Sequence, residues 1–298
     1  MSTEYFKNTR PFREEREMLN REIPQYGLVE TIKRTLEEKG TEVIYRHLTP
    51  EIASSLVLNP TILAANHKGP EAPRLMISSV PIERAVKDDL KVLSSKENQR
   101  VYGEEVLNYM IVVDTFGQPN LKPLARLKQQ KTIFMTPEEL AKRKKDADET
   151  NAVASKEAVH HLNGGGMVGI FPGGEQLDSA RWLGGLGAMV WSAKHVENAH
   201  VTLVHIGNTG AMDRRIYNKA ARAVWPFHPV ITYLDSIPVS QILEESKGVQ
   251  LFDTYGRSVR QVEKISFWLQ ERFNYLAYEH VYNPDRSQTR SRLYLAEA

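Results

Sequence analysis

The residues best suited to acid–base chemistry are His67 and Glu71, in the stretch AANHKGPEAPRL. His67 directly follows residues 62–65, a short apolar run that is typical of a buried strand. A carboxylate four residues beyond an imidazole can accept a hydrogen bond from one ring nitrogen and leave the other free to take up a proton. The spacing therefore indicates a general base with its orienting carboxylate. A histidine that only caps the turn, with a glutamate at the start of a helix, would have the same spacing.

The segment GMVGIFPGGEQ, residues 166–176, joins a second apolar run to a glycine-rich loop. Pro172 and the glycines after it leave backbone N–H groups exposed at the end of the predicted strand. Such groups can hold an anion or stabilise an oxyanion in a transition state. A plain turn between a strand and a loop has the same composition, so both interpretations stay open for this segment alone.

Composition excludes several classes of function. The 298-residue chain carries 39 Lys and Arg against 37 Asp and Glu, so a net charge of +2 offers no general attraction to nucleic acid. The absence of cysteine excludes disulfides, thiolate metal sites and cysteine nucleophiles.

No apolar run approaches the roughly 18 residues that cross a bilayer, and the N-terminus lacks the apolar core of a signal peptide. We therefore expect a cytoplasmic protein, either soluble or in peripheral contact with the inner face of the membrane. Residues 1–14 mix aromatic and basic side chains, which is typical of an interfacial anchor or of a segment packed on the domain.

Short apolar runs alternate with helical segments along the chain, which predicts an α/β fold with a mostly parallel sheet flanked by helices. In such sheets functional groups collect in the loops that follow the carboxyl ends of the strands. The predicted strands are EVIYRHL (42–48), 62–65, RAVKDDL (84–90, running into a helix), 110–113, MVGIF (167–171), 201–206 and 229–235.

The chain is expected to have a helical segment, an α/β domain, and a closing helix with a tail, over residues 1–44, 45–250 and 251–298. Within the middle part, residues 117–150 are polar and lysine-rich and are interpreted as an insertion. Thr136 and Glu139 have the spacing of a helix capping box, and another helix is predicted over 152–163. A long amphipathic helix is predicted from about Tyr255 to Tyr278.

Taken in order, these segments resemble motifs of the glycerol-phosphate and lysophospholipid acyltransferase superfamily, across residues 45–245. Asn66 and His67 resemble the family's Asn-His pair, and Glu71 stands in the place of its aspartate after a turn one residue shorter. FPGGEQ resembles the family's Phe-Pro-Glu-Gly-Thr-Arg, with Gly173 in the place of the glutamate and Gln176 in the place of the arginine.

Two further segments resemble the family less closely. AVKDDL, with Lys87, resembles a lysine-bearing strand and helix start. MIVVDTF resembles a strand that ends in Asp-Arg, with Asp114 retained and Thr115 in the place of the arginine.

The resemblance implies an O-acyltransferase of glycerolipid or phospholipid metabolism, in which His67 is the catalytic base and Glu71 orients its ring. The donor would be acyl-CoA or acyl-carrier protein, the acceptor a hydroxyl of a glycerolipid or lysophospholipid, and no cofactor or metal is required. The resemblance assigns substrate binding to residues of the matching segments, namely Asn66, Lys68, Arg74, Lys87, Asp114, Thr115, Phe171, Pro172, Gly173, Gly174, Glu175 and Gln176.

The departures from the family pattern leave two alternatives open. Two arginines of the family motifs, which bind the acceptor phosphate, are replaced here by Thr115 and Gln176. An arginine can make two parallel hydrogen bonds to a phosphate, and threonine or glutamine does not replace its charge. Either other cations substitute, such as Lys68, Arg74, Lys87 or Arg181, or the acceptor carries no phosphate. The chain can also be an acyltransferase-like protein that binds lipid or acyl groups without turning them over. An α/β-hydrolase is set aside because the G-x-S-x-G turn is missing.

Overall fold

The computed structural model of the protein describes residues 10–38, 40–67, 72–95, 104–114, 116, 135–173, 182, 184–207, 228–252, 255 and 257–282. Within them, one sheet is built from β1 Ile44–Arg46, β2 Thr61–Ala65, β3 Leu90–Ser95, β4 Met110–Val113, β5 Met167–Ile170, β6 His200–Gly207 and β7 Val230–Pro238. The strand order is β1-β7-β6-β2-β5-β3-β4. Strands β6 and β7 pair antiparallel, whereas the other neighbouring pairs are parallel.

The helices lie on both faces of this sheet. They are α1 Arg10–Tyr26, α2 Leu28–Glu38, α3 Pro50–Leu58, α4 Ala72–Ser78, α5 Ile82–Ala85, α6 Glu104–Leu107, α7 Pro137–Asn163, α8 Gly184–Ser192, α9 Val239–Glu245 and α10 Gln261–Ala277. Single 3-10 turns follow α8 and α9, at Ala193–His195 and Ser246–Gly248, and a π-helical turn, Tyr278–Tyr282, extends α10. The predicted α/β class with a mostly parallel sheet is confirmed.

The core has one layer on each side of the sheet because the central strands are apolar on both faces. All five residues of β2 are buried. Helices α7 to α10 pack on one side, called here the α10 face, and α1 to α6 pack on the other, called the α4 face. A strand buried on both sides reads as a continuous apolar run, which is why 62–65 and 167–171 were recognisable in the sequence.

The segment RAVKDDL does not form the predicted strand. Its first residues belong to the short helix α5, a turn follows, and β3 begins only at Leu90. Two long-range contacts explain the difference. Arg84 is buried and bonded to other loops, and Asp88, with a φ of 48°, accepts a hydrogen bond from the N–H of Leu28 at 3.0 Å. These tertiary bonds override the local apolar pattern.

Helix α7 is longer than the sequence pattern indicates, since it runs unbroken from Pro137 to Asn163. The predicted capping box of Thr136 and Glu139 is present at its start. Residues 137–150, interpreted as part of an insertion, are therefore the first half of a helix that packs on the sheet, and 117–134 lie outside the described residues. The buried side of α7 is made mainly of alanines, whose small side chains leave little apolar signal.

The closing helix begins later than predicted. Arg260 is the N-cap, with an extended backbone, and an isolated bridge joins Phe252 and Ser258. Helix α3 was not predicted, although Thr49 caps it by accepting from the N–H of Ile52.

Gly187 lies where α8 packs closely on α10, and its replacement gives a first prediction. A Cβ at this position would lie 1.8 Å from the carbonyl oxygen of Val262, which is backbone and cannot rotate away. The N–H of Gly187 also donates to the hydroxyl of Ser266 at 2.9 Å. We expect Gly187→Ala to lower the free energy of unfolding by about 1–3 kcal/mol, because the two helices must separate.

The matched control lies on the same helix. A Cβ at Gly185 meets nothing within 4 Å, so Gly185→Ala should change stability by less than about 1 kcal/mol. Urea unfolding followed by circular dichroism measures both variants. Equal midpoints would contradict the close helix crossing.

Candidate active site at the carboxyl edge

Strands β2 to β6 all end at the same edge of the sheet, called here the carboxyl edge. Strands β1 and β7 run the other way and begin there. Asn66 and His67 follow the central strand β2, Phe171 follows β5, and Asp114 follows β4. Three of the segments singled out in the sequence therefore converge on one edge.

The side chain of Asn66 is bonded to the neighbouring strand. Its Oδ1 accepts from the N–H of Ile206 at 2.6 Å, and its Nδ2 donates to the carbonyl of Ile206 at 3.0 Å. The backbone pairing of β2 with β6 ends one residue earlier, where Ala65 lies opposite Val204. The amide of Asn66 thus contributes one further two-point contact beyond the ladder.

His67 lies half-buried immediately after this contact. Its ring meets the ring of Phe171 edge-on, with the centroids 4.8 Å apart and the planes at 72°. The two residues follow adjacent strands, since Ala64 of β2 pairs with Ile170 of β5. An imidazole at the end of a central strand, with one wall made by an aromatic ring, can act on a substrate that reaches the edge.

The start of the glycine-rich loop is fixed by packing. Phe171 packs on the α4-face core and Pro172 is buried. A Cβ on Gly173 would be 3.6 Å from the indole of Trp182, and the N–H of Trp182 donates to the side chain of Gln270 at 2.8 Å. Gly173 therefore lies beside Trp182, which is bonded to α10.

Helix α4, which begins just beyond the candidate turn, is held at its far end. The carbonyls of its last residue and of the two residues after it, 78–80, accept hydrogen bonds from side chains of three other elements. The donors are the hydroxyls of Tyr45 and Tyr233 and the ammonium of Lys33. These bonds attach the end of α4 and the turn after it to α2, β1 and β7, and they satisfy carbonyls at a helix end.

Within the part of the chain that the structure describes, Asp114 is bonded to helix α7 and not to the turn that carries His67. Its carboxylate pairs with Arg143 of α7 at 2.7 Å and accepts from the N–H of Phe116 at 2.9 Å. Asn151, also on α7, accepts from the N–H of Asp114 at 2.9 Å and donates to its carbonyl at 3.0 Å. Strand β4 is three strand spacings from β2, about 14 Å, so Asp114 does not reach His67. Neither Arg143 nor Asn151 was recognised from the sequence, where both lie in a polar stretch.

The remaining predicted site residues fall into three groups. Arg74 is in the first turn of α4, near the carboxyl edge, and is half-buried. Lys87 is not brought together with His67: it lies in the exposed turn before β3, at the opposite edge, because its segment forms a turn and not the end of a strand. The rest lie outside the described residues, namely Lys68, Glu71, Thr115, Gly174, Glu175, Gln176 and Arg181.

Two cavities bounded by described residues lie away from His67. One, of about 560 Å³, is between α3 and β7, and the other, of about 420 Å³, is between α2 and β1. Within the described chain no group of three or more potential metal ligands is found. Among these same residues, no helix is both long and apolar enough to span a bilayer.

The π-helical turn after α10 contacts two imidazoles, one on β6 and one directly after β1. Tyr282 Oη is 3.1 Å from Nε2 of His205, which is buried on β6. The rings of His280 and His47 lie with their centroids 4.5 Å apart. Both contacts join residues far apart in the chain, so the sequence offers no local signal for them.

The environment of His280 leads to a prediction that the free energy of unfolding depends on pH. Burial, and after it the nearby His47, hold the pKa of His280 below its usual value, while Glu279 and Asp235 act in the opposite direction. Because the pKa is lower in the folded state, the unfolded chain binds more protons in the window below about pH 6.5. The free energy of unfolding should therefore fall as the pH drops from about 7.5 to about 5.5.

The variant His47→Asn should reduce this acid-induced loss, because it removes the neighbouring imidazole. Asparagine tolerates the positive φ of 55° at this position. The measurement is the urea midpoint of both proteins at the two pH values. The same pH-dependent difference in both proteins would contradict the coupling.

The sequence matches no family model and no curated protein. Among solved structures, the fold is similar to the crystal structure of the 1-acyl-sn-glycerophosphate (LPA) acyltransferase PlsC from Thermotoga maritima. The TM-score is 0.43 and the sequence identity 13%, over 96% of this chain and 86% of that chain.

Proposed function

We propose that this protein is an acyltransferase that moves a fatty acyl group from a thioester to a hydroxyl of a glycerolipid or lysophospholipid. The observation that supports it is the position of His67. The imidazole belongs to the second residue after the central strand, next to the bonded amide of Asn66 and in contact with the ring of Phe171. The carboxyl edge of such a sheet is where substrates meet catalytic groups.

In the proposed reaction, His67 takes the proton of the acceptor hydroxyl while the hydroxyl oxygen attacks the thioester carbonyl carbon. The tetrahedral intermediate then collapses, the carbon–sulfur bond breaks, and the imidazolium gives its proton to the departing thiolate. The products are an ester and a free thiol, so atoms and charge balance without a cofactor or a metal. General acid–base catalysis of this kind contributes about 10²- to 10⁴-fold to the rate.

Two further roles come from the sequence. Glu71 would orient the ring of His67 and stabilise the imidazolium, as a carboxylate does in hydrolytic triads. Backbone N–H groups of Gly173 and Gly174 would face the developing oxyanion, where each donor is worth about 3 kcal/mol.

We further propose that the acceptor is not plain glycerol-3-phosphate. Thr115 and Gln176 stand where the family carries phosphate-binding arginines, and Arg143, the cation found near β4, is paired with Asp114. Arg74 is in the first turn of α4, the helix that follows the turn that carries His67. A neutral glyceride, or a phosphate held by Arg74 together with Lys68 or Arg181, fits this set of charges.

The test is a panel of acyl-CoA and acyl-carrier-protein donors against phosphate-bearing and phosphate-free acceptors. Thiol release is read with a chromogenic thiol reagent and products by mass spectrometry. Because the chain has no cysteine, the protein adds no thiol background. Ester formation that requires both substrates is the expected result. Thioester binding without thiol release would support the acyl-binding alternative, and a clear preference for glycerol-3-phosphate would contradict the proposed acceptor.

With lipid acceptors, we propose a cytoplasmic enzyme in peripheral contact with the membrane. Residues 1–9, which belong to the predicted anchor, lie outside the described residues. Flotation with liposomes, comparing the full chain with one lacking residues 1–14, tests their contribution, and equal flotation would remove the anchor from the proposal.

A further inference from the structure

The amide of Asn66 takes the place of a backbone peptide group in the sheet. It offers one carbonyl oxygen and one N–H donor to Ile206, the same pair that a continuing strand would offer. The main chain is therefore released from the ladder at this residue, while the strand end stays attached to β6. His67 is the first residue after the attachment.

This arrangement restrains the imidazole from two sides. On the β6 side, the preceding residue, Asn66, is held by the two bonds from its side-chain amide to the backbone of Ile206, which is fully buried. On the β5 side, its ring is in edge contact with Phe171 at 4.8 Å. Displacements of about 1 Å in a catalytic group can reduce a rate about 100-fold, so a restraint of this kind has a direct kinetic meaning.

We infer that Asn66 is a positioning residue for His67 and not the substrate ligand that its place in the sequence suggests. The inference depends on the proposed function, because it assigns a kinetic role within that reaction. The bonds require an amide: aspartate can still accept from the N–H of Ile206, but its second oxygen would oppose the carbonyl of Ile206.

The structure contains a matched control for the loss of such a contact. Asn151 makes the same pair of bonds to the N–H and carbonyl of Asp114, after strand β4. That contact is three strand spacings, about 14 Å, from the strand that carries His67. Asn151→Ala therefore removes an equivalent pair of bonds without loosening His67.

The experiment compares Asn66→Ala, Asn66→Asp and Asn151→Ala in the full chain. We expect the two Asn66 variants to lower kcat for thiol release about 10- to 100-fold, with KM for the acyl thioester nearly unchanged. Asn151→Ala should show a comparable fall in melting temperature with kcat unchanged. Asn66→Asp keeps one of the two bonds, so it provides a readout if the alanine variant does not fold.

Three outcomes would overturn the inference. An unchanged kcat in both Asn66 variants would leave the residue a purely structural role, and a raised KM at constant kcat would make it a substrate ligand. An equal loss of kcat in Asn151→Ala would show a general effect of lost stability.

The proposed function can fail independently. If the wild-type protein releases no thiol, the NMR signals of the His67 ring still report its position. A shift of these signals in Asn66→Asp but not in Asn151→Ala supports the positioning role, and unchanged signals in both contradict it.

Discussion

His67→Ala is expected to reduce thiol release about 10²- to 10⁴-fold at saturating substrate, with KM for the thioester nearly unchanged. The alanine removes the imidazole that takes the acceptor proton in the proposed reaction, while the Asn66 contact to Ile206 stays in place. The ring of His67 is only half-buried, and the contact that alanine loses is its edge contact with Phe171. We therefore expect the variant to keep the fold. Initial rates from the thiol assay, together with melting temperatures, measure both effects.

The control is the same substitution at His195. This histidine is exposed in the 3-10 turn before β6, at the edge opposite His67. His195→Ala should retain the wild-type rate. If the wild-type protein and His67→Ala release thiol equally slowly, His67 is not a base, and the protein binds acyl groups without transferring them.

Arg84→Met is expected to lower the free energy of unfolding by about 3–5 kcal/mol. Arg84 is 1% exposed, and its guanidinium donates to the carboxylate of Asp89 and to the carbonyls of Val57 and Gly165. It thereby joins the end of α3, the turn before β5 and the turn before β3 at the edge opposite His67. Methionine fills similar volume but leaves these acceptors without a donor inside the protein.

Two variants make this expectation specific. Arg84→Lys keeps the charge but offers a single ammonium where three groups need a planar fork, so an intermediate loss is expected. Arg260→Met removes an exposed pair with Glu263 and should change stability by less than about 1 kcal/mol. Urea unfolding followed by circular dichroism provides the three values. An Arg84→Met midpoint within error of Arg260→Met would contradict the structural role.

The strands and the candidate base could be predicted because their signals are local. The apolar runs at 62–65 and 167–171 are bounded by turn residues, and His67 directly follows the first of them. The capping box at Thr136 could be predicted for the same reason, since it depends on residues three apart. The class of fold followed from the alternation of such segments.

What the sequence could not predict depends on distant partners. Arg84 is bonded to groups up to 81 residues away, and for that reason its segment is a helix and a turn where a strand was expected. The side chain of Asn66 is hydrogen-bonded to the backbone of Ile206, 140 residues away. The Asn-His pair alone therefore could not predict this contact. The length of α7 was missed because alanines such as Ala154 and Ala158 pack closely on the sheet without a strong apolar pattern.

Helix α7 extends well past the sheet that it packs on. Asn151 marks the level at which β4 ends, so residues 137–150 project about 21 Å beyond it at 1.5 Å per residue. Arg143, within this projection, reaches back to Asp114. Among the described residues, the helix therefore forms a rigid flank on the α10 face, whereas His67 contacts Phe171 on the α4 face. Helix α7 and the contact between His67 and Phe171 therefore lie on opposite sides of the sheet, so a change in the projecting part of this helix is expected to leave that contact in place.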